Sequence, residues 1–284
     1  MTKISIIIVT YNSSKHIFDC LESIFKYNDI GNELEIIIVD NHSEEQKEMF
    51  LKLQEKYGDK IVLKDSGKNG GYGYGNNIGI RTAKSDIVIV MNPDVRIIKP
   101  IFNTIISKMH DGEIALLGVS FIDGSLPFYF KPEHGNLLKS LFAKQYTILK
   151  RYNPKTMYMS GSFLVFDKEM FLKAGCFDEN IFMYYEEPDI TNRILSIGGK
   201  VCWAKDTFVK HLAHGRQFNK KTWEIMRESY FYYAKKYGVD IDRGRTNAIN
   251  ILRFKFLVAK LLGQKEKAFL FKKQVESLQI ELNC

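Results

Sequence analysis

A carboxylate that could bind a cation follows one of the apolar runs of the sequence. In DIVIVMNPDVRI, residues 86–97, four β-branched residues and a methionine lead to Asn92, Pro93 and Asp94. Proline cannot donate to a strand ladder, so Asp94 is expected just beyond the strand's carboxyl edge. A carboxylate there can hold a hard cation over a phosphate group. Asn-Pro-Asp is also a good turn initiator, and the residues alone leave that alternative open.

Three more acids cluster in YYEEPDITNRI, residues 184–194. Pro188 suits a first helical turn, which predicts that Glu186, Glu187 and Asp189 surround the amino end of a helix. Acids at such a position often do no more than stabilise the helix dipole. A catalytic role therefore needs support from the rest of the chain.

These side chains need a framework that brings distant segments together. Strand-like β-branched runs occupy 4–12, 34–41, 60–65 and 86–94, and helix-like stretches occupy 15–28 and 43–57. Continuous apolar runs are typical of strands buried on both faces, and their alternation with helices predicts right-handed crossovers and a mostly parallel sheet. Ligands bind outside the carboxyl ends of such strands. The predicted rim consists of Thr10, Tyr11, Asn12, Asp40, Asn41, Asn92 and Asp94.

Composition limits the classes of function. The 284 residues are 45% hydrophobic, enough for a substantial core, and a formal net charge of +8 favours anionic partners. No nucleic-acid-binding motif accompanies that charge, so we expect no nucleic-acid partner. The four scattered cysteines indicate reduced thiols in the cytosol. The apolar run at the amino terminus is too short for a signal peptide or a membrane span, which predicts a cytoplasmic protein, soluble or peripheral on the inner face of the membrane.

Six motifs in fixed order resemble glycosyltransferase family 2, and most of all its bacterial rhamnosyltransferase-like branch. They are VTYN, VDN, NGGYGYGNNIGI, MNPDV, SGSFLVF and FMYYEEPDITNRI, and the resemblance covers about residues 3 to 215. It implies a GT-A fold, which is a Rossmann-like sheet flanked by helices, and a nucleotide-diphosphate sugar donor. It also implies a divalent metal, Mg²⁺ or Mn²⁺, and transfer with inversion. The resemblance favours dTDP-rhamnose as donor, followed by UDP-sugars.

The resemblance also implies roles on the donor side. Thr10, Tyr11 and Asn12 would line the nucleoside pocket, and Asp40 would meet the base or ribose. The glycine-rich stretch lacks the spacing of a dinucleotide fingerprint. Its Gly70, Gly71, Gly73 and Gly75 would allow close backbone approach and positive φ, and Asn76 and Asn77 would supply side-chain bonds. The alternative is an ordinary flexible loop.

The remaining implied roles concern metal and base. Asp94 stands in the family's Asp-x-Asp element, with Asn92 in place of the first acid. His211 would complete the metal site, and His214 and Arg216 are candidates for phosphate contact. Glu187 would be the general base, with Glu186 as the fallback. A glutamate here replaces the more usual aspartate, so the carboxylate reaches one methylene farther.

We expect a catalytic domain at 1–216, with an aromatic and basic acceptor-side insertion at 122–156, followed by a helical region at 217–284. The helical region carries apolar residues at helical spacing among many lysines and arginines. It could lie on an anionic membrane and bring the enzyme to a lipid-linked glycan acceptor, or pack on the core or in a homodimer. A nucleotidyltransferase would carry a basic glycine-rich signature near the first strand, which VTYNSSKHIF lacks. A non-catalytic sugar-nucleotide-binding or scaffold subunit remains the alternative to a transferase.

Overall fold

The structure, a computed structural model, describes residues 3–136, 139, 142–212 and 220–280. These residues form two compact units. The first lies within Met1–Tyr129 and Tyr152–Arg216, and the second lies within Phe130–Arg151 and Gln217–Cys284. The segment 122–156 is therefore divided: its two ends belong to the first unit and its centre to the second.

The first half of the sheet alternates strands and helices, as the sequence predicts. Its elements are β1 (Ile4–Thr10), α1 (Ser14–Lys26), β2 (Leu34–Asp40), α2 (Gln46–Tyr57), β3 (Val62–Asp65), α3 (Gly71–Thr82) and β4 (Ile87–Met91). Short 3-10 turns at Gly31–Glu33 and Gly58–Lys60 precede β2 and β3. β1 pairs in parallel with β2 and β4, and β2 pairs in parallel with β3. The register sets Thr10 beside Asp40 at the carboxyl edge.

The second half of the chain adds further strands and the C-terminal helices. In order they are β5 (Val95–Arg96), α4 (Phe102–Gly112), β6 (Ile114–Phe121), β7 (Phe128–Phe130), α5 (Ala143–Ile148), β8 (Met157–Met159), β9 (Phe163–Asp167), α6 (Lys168–Lys173), α7 (Glu186–Ser196), β10 (Lys200–His211), α8 (Lys220–Tyr237), α9 (Ile241–Leu261) and α10 (Lys265–Ile280). A 3-10 turn at Pro132–His134 lies between β7 and α5. β7 and β8 form a separate two-stranded sheet.

The main sheet has the strand order β3-β2-β1-β4-β9-β6-β10-β5. β10 is parallel to β6, whereas β9 runs antiparallel to both of its neighbours, β4 and β6. An antiparallel strand begins where its neighbours end, so the residues before β9 lie at the carboxyl edge of β4. The predicted mostly parallel α/β sheet is confirmed, and the antiparallel strands are β9 and the short β5.

Helix α1 shows why the apolar pattern folds in this way. Ile17, Leu21 and Ile24, at helical spacing, are fully buried in the same core cluster as Ile6 and Ile8 of β1. Burial of such side chains contributes roughly 1.5–3 kcal/mol each, which offsets much of the entropy lost on ordering them. The helical spacing predicted for this segment is confirmed.

The glycine-rich stretch is mostly helical, which excludes the alternative of an ordinary flexible loop. Only Gly71 among the four glycines that the sequence singled out has a positive φ, at 88°. A Cβ on Gly75 would lie 2.8 Å from Cγ1 of Val9, and one on Gly79 would overlap Ile7. These two glycines let α3 approach β1 closely. The glycine spacing therefore serves helix–sheet packing rather than loop flexibility.

In the second unit, α9 and α10 pack against each other, with Ile249 and Val275 in their shared cluster. Asp240 caps α9 by accepting a bond from the Arg243 N–H at 2.9 Å. The fully buried Tyr233 of α8 donates its hydroxyl to Glu133, 3.2 Å from Oε2. None of the helices among the described residues is long and apolar enough to cross a membrane.

Gly79→Ala tests the close packing of α3 on β1. In an uncrowded helix interior this change stabilises a protein by roughly 0.5–1 kcal/mol. Here the new methyl group overlaps Ile7, so we expect destabilisation of about 1–3 kcal/mol in urea unfolding. The cost should shrink in an Ile7→Ala background, because that change removes the overlapping atoms. Stabilisation by Gly79→Ala alone would contradict the packing role.

Candidate active site

The rim at the ends of β4 and β10 joins residues that are far apart in the sequence. The backbone N–H of Asn92, just after β4, donates to the carbonyl of Ser162 at 3.0 Å. β10 ends at His211, which pairs with Val95 of β5. The Ser162 hydroxyl lies 3.4 Å from Nε2 of His211. The antiparallel β9 thus presents its leading residues to both strand ends.

Asp94 and His211 form the candidate metal-binding pair. Oδ2 of Asp94 lies 3.4 Å from Nε2 of His211, and the Leu212 N–H donates to the Asp94 carbonyl at 2.9 Å. The His211 N–H donates to Oδ1 of Asp123 at 3.2 Å. Burial alone would raise the pKa of Asp123, but bonds from Ser125 and the His211 N–H lower it below its usual value. The backbone on both sides of the pair is therefore fixed.

The chemistry of this pair fits a divalent metal that is completed by substrate. Among the described residues, no group of three or more His, Cys, Asp or Glu could hold a metal ion by itself. Mg²⁺ is usually held by one or two carboxylates together with substrate phosphates, and His is the commonest neutral metal ligand. Asp94 and His211 could supply two ligands, and the phosphates of a donor could supply others. The sequence predicted both residues, and the structure brings them together.

The backbone of Gly161 connects a buried tyrosine to the predicted base. The Tyr72 hydroxyl donates to the Gly161 carbonyl at 2.6 Å, and the Gly161 N–H donates to Oε1 of Glu187 at 3.0 Å. A Cβ at Gly161 would overlap the Glu187 carboxylate, so a larger residue there would displace the carboxylate. Burial, Glu187 and Glu186 raise the pKa of Tyr72 well above its usual value, so its hydroxyl keeps the proton that it donates.

The two adjacent glutamates at the start of α7 have different environments. Glu186 is buried, whereas Glu187 is half-buried. Burial, reinforced by the charge of Glu187, raises the pKa of Glu186 well above its usual value and favours its neutral form. A neutral carboxyl cannot accept a proton from a substrate. The geometry therefore favours Glu187 over Glu186 as a base.

A strained turn sets the position of these acids. Tyr184 and Tyr185, immediately before α7, both have positive φ, 72° and 71°. This conformation costs a non-glycine residue of order 1–3 kcal/mol, and it persists only where surrounding contacts enforce it. The turn also lies close to the start of α3, because the Tyr72 N–H donates to the Phe182 carbonyl at 2.9 Å. Tyr72 thus bonds both to Gly161 and to the segment that leads to the acids.

The residues predicted for the nucleoside pocket lie together at the ends of β1 and β2. Oδ2 of Asp40 accepts bonds from the hydroxyls of Thr10 and Ser43, each at 2.7 Å, and Oδ1 accepts from the Ser43 N–H. The Asn12 N–H donates to the Ser43 hydroxyl at 2.8 Å. Tyr11 is 49% exposed and leaves a ring face open to a ligand. Asp40 itself is fully buried and holds the loop, so its predicted contact with the nucleoside stays a prediction.

The predicted donor residues of α3 make mainly structural contacts. Gly71 lies against the Phe182 carbonyl, and the Asn76 side chain donates to the carbonyl of Tyr72 at 2.9 Å. The Asn77 amide donates to the Phe177 carbonyl and accepts from the Phe177 N–H, at 2.9 and 3.0 Å. Both asparagines are buried. These contacts order the segment that leads to the strained turn.

Sequence reasoning did not single out three contributors: Tyr72, Ser162 and Asp123. Tyr72 and Ser162 lie inside the motifs NGGYGYGNNIGI and SGSFLVF, but their partners are distant in sequence. A glycine-serine pair before a strand at the rim was the available signal for Gly161 and Ser162. Two predicted residues, His214 and Arg216, lie outside the described residues.

Comparison with known sequences identifies a family and relatives that this chain resembles. The family described as Glycosyl transferase family 2 matches residues 5–175, which is more than half of the chain. The chain is 25% identical over 281 residues to the low-salt glycan biosynthesis hexosyltransferase Agl10 of Haloferax volcanii, with 93% of this chain and 86% of that protein covered. It is 30% identical to the poly(ribitol-phosphate) beta-N-acetylglucosaminyltransferase TarS of Staphylococcus aureus over 129 residues, 44% of this chain and 22% of that protein.

Solved structures show the same fold. The mannosyltransferase PcManGT from Pyrobaculum calidifontis, in complex with GDP-Man and Mn²⁺, has a TM-score of 0.58 at 15% identity, covering 98% of this chain and 84% of that one. S. aureus TarS 1-349 in complex with UDP has a TM-score of 0.56 at 17% identity, covering 99% and 92%. The predicted GT-A architecture is confirmed.

The environment of Glu186 predicts a pH-dependent stability. Its pKa is higher in the folded protein than the value of about 4.3 in an unfolded chain, so the folded state holds the proton more tightly. The free energy of unfolding should therefore fall as pH rises from about 4 toward the folded-state pKa. Glu186→Gln is neutral at every pH and removes this loss.

Urea unfolding at pH 5 and pH 8 measures the effect. We expect the Glu186→Gln protein to gain stability relative to wild type between these two values. Glu169→Gln, at an exposed position of α6, is the matched control and should follow the wild-type profile. If the two proteins differ in free energy of unfolding by the same amount at pH 5 and at pH 8, Glu186 does not bind its proton more tightly on folding.

Proposed function

Because the chain belongs to glycosyl transferase family 2, we propose that it is an inverting, metal-dependent glycosyltransferase. It would move a sugar from a nucleotide-diphosphate donor to a hydroxyl group of a glycan acceptor. The observation that carries the proposal is the arrangement at the rim. His211, paired with Asp94, lies next to Ser162, and the Glu187 carboxylate accepts a bond from the N–H of the adjacent Gly161.

In this reaction the acceptor hydroxyl gives its proton to Glu187 while its oxygen bonds to the anomeric carbon of the donor sugar. The bond between that carbon and the nucleotide diphosphate breaks in the same step, and the diphosphate leaves with the electron pair. One in-line displacement without a covalent intermediate inverts the anomeric configuration. When bound, a divalent cation neutralises the charge of the leaving diphosphate. Asp94 and His211 would hold that cation.

Glu187 needs a fixed position to accept the proton, because general bases act only within hydrogen-bond reach of the reacting group. The Gly161 N–H donates to Oε1 of Glu187 and so helps to fix the position of the carboxylate. Tyr72 holds the backbone of the same residue by donating to the Gly161 carbonyl. Tyr72 and Gly161 are therefore positioning residues in this proposal.

The donor is proposed from the relatives. Agl10 is described as a hexosyltransferase and TarS as a beta-N-acetylglucosaminyltransferase, and TarS structures hold UDP or UDP-GlcNAc. A UDP-hexose or UDP-N-acetylhexosamine is therefore the first donor to test. The second donor to test is dTDP-rhamnose, because the motifs resemble the rhamnosyltransferase-like branch of the family. Because a ligand that binds only the folded state raises the melting temperature, a thermal-shift panel with Mg²⁺ or Mn²⁺ ranks these donors.

The acceptor is proposed from the sequence segments outside the core motifs and from the relatives. Residues 1–216 would form the catalytic domain, and the segment 122–156 would contribute to the acceptor site. A cell-surface glycan is the proposed acceptor, in line with the glycan biosynthesis named for Agl10. A lipid-linked form of it requires contact with a membrane surface, for which the helical region 217–284 has basic and apolar residues.

Glu187→Gln tests the base. The amide keeps the size of the side chain but cannot accept a proton, so donor binding should survive. Turnover should fall by about a hundred- to ten-thousand-fold, the usual contribution of a positioned general base. Calorimetry with the UDP-sugar measures donor binding, and release of UDP with acceptor present measures turnover.

Glu186→Gln is the matched control and should cost much less activity, because burial raises the pKa of Glu186 and favours its neutral form. Turnover by Glu187→Gln at nearly the wild-type rate, with Glu186→Gln inactive, would move the base to Glu186. A product of retained configuration would exclude a single displacement. Donor binding by wild type without turnover on any glycan acceptor would favour the non-catalytic sugar-nucleotide-binding or scaffold subunit.

Asp94→Ala tests the metal ligand. The side chain is only partly buried, so the fold should persist, while metal-dependent binding of UDP should weaken at least tenfold with the loss of a charged ligand. Asp59→Ala, at an exposed position, should bind as wild type does. Equal affinity for UDP with and without Mn²⁺ in the wild-type protein would remove the metal from the proposal.

A further inference from the structure

Helix α9 exposes large apolar side chains on one face. Phe254, Leu257 and Leu261 are all exposed, and Leu261 is 86% exposed. At roughly 100° per residue, the three side chains fall within an arc of about 60° on the helix. We call these three residues the apolar stripe. Leu262, just beyond the helix, and Phe269, near the start of α10, are exposed as well.

The stripe lies on the opposite face of α9 from the one that packs. Ile249 and Ala259 are buried, and on the helical wheel they lie roughly 110° and 170° from the centre of the stripe. Ile249 belongs to the cluster that α9 shares with α10. One face of α9 is thus buried against α10, and another face exposes apolar side chains to solvent. A surface helix of a globular protein normally exposes polar residues on that second face.

Positive charge surrounds the stripe. Arg253 and Lys260 border it on one side and Lys255 on the other, and all three are exposed. Between Arg243 and Val275 the chain carries nine lysines and arginines and one acid, Glu266. Lys273 lies over the exposed ring of Phe269, with its Nζ 5.6 Å from the centroid. Such lysines can cover apolar surface with their stems while their charges reach into water.

We propose that the apolar stripe of α9 lies in the interface of an anionic membrane. The helix would rest parallel to the surface, with Phe254, Leu257 and Leu261 among the upper acyl chains and Arg253 and Lys260 on the headgroups. An amphipathic helix with a basic flank binds in this way, through buried apolar area together with attraction to anionic lipid. This inference concerns binding only and does not rest on the proposed sugar transfer.

Charge complementarity selects lipid over a second copy of the chain. Two copies that met through the stripe would bring Arg253 and Lys260 of each near the same residues of the other. That contact places like charges together, whereas anionic headgroups neutralise them. A membrane can also receive apolar side chains that point in other directions near the connection between α9 and α10. The exposed Leu262 and Phe269 lie there.

Co-sedimentation with vesicles of phosphatidylcholine and phosphatidylglycerol tests the proposal, using the full-length protein without donor. The double variant Leu257→Glu/Leu261→Glu should bind these vesicles at least about tenfold more weakly, because two inserted side chains are lost and two repelling charges are added. Leu51→Glu is the matched control, since Leu51 is 72% exposed on α2 of the first unit and is not part of the stripe. It should bind as wild type does.

A second variant keeps the test independent of any folding defect in the first. Arg253→Gln/Lys260→Gln leaves the stripe intact and should lower binding by about tenfold at low salt, with little effect on binding to vesicles of phosphatidylcholine alone. Wild-type binding should fade as salt rises toward 0.5 M, because screening weakens the attraction to headgroups. Circular dichroism and thermal unfolding confirm that each variant is folded.

Two results would overturn the proposal. One is equal binding of wild type and the Leu257→Glu/Leu261→Glu variant to anionic vesicles. The other is a wild-type dimer in analytical ultracentrifugation that this variant converts to a monomer, together with no binding to vesicles, which would assign the stripe to a second copy. Glycosyltransfer to a soluble acceptor would be unaffected by either outcome, so failure here and failure of the proposed function are separate.

Discussion

The antiparallel pairing of β9 with β4 is the constraint on which the candidate active site depends. A parallel strand in that position would begin at the opposite edge of the sheet and would leave the rim with strand ends only. As an antiparallel strand, β9 begins at the carboxyl edge of β4, next to Asn92. Ser162 therefore reaches His211, and Gly161 reaches Glu187. The metal-side pair and the base therefore both contact the residues that immediately precede β9, His211 at Ser162 and Glu187 at Gly161.

Burial divides the roles of the adjacent carboxyls at the start of α7. Both follow a strained turn and share the field of the helix dipole, which favours ionised acids. The dipole does not prevail at Glu186, because desolvation and the charge of its neighbour raise its pKa. One residue farther along, Glu187 is partly open and bonded to a backbone N–H. A single step along the chain thus separates a neutral group from a candidate base.

The strands and helices of the first half of the sheet were predictable, since β-branched runs and helical spacing report local preference and burial together. Asp94 and His211 were also predictable as partners, through the resemblance of their motifs. The glycines of the glycine-rich stretch predicted close backbone approach, but not its partners, because Val9 and Ile7 lie on a neighbouring strand that is distant in sequence. The exchange of hydrogen bonds between Asn77 and Phe177 was hidden for the same reason.

The sequence by itself determined the α/β class, the family and the candidate acids, because each depends on residue types within short windows. Only the tertiary structure decided which acid is buried and which peptide orients the other. It also decided that the Asp40 carboxylate is bonded by Thr10 and Ser43, and that Leu257 and Leu261 of α9 are exposed. Desolvation, hydrogen-bond geometry and exposure are properties of contacts between distant segments. No local pattern records them, so they appear only when the chain is folded.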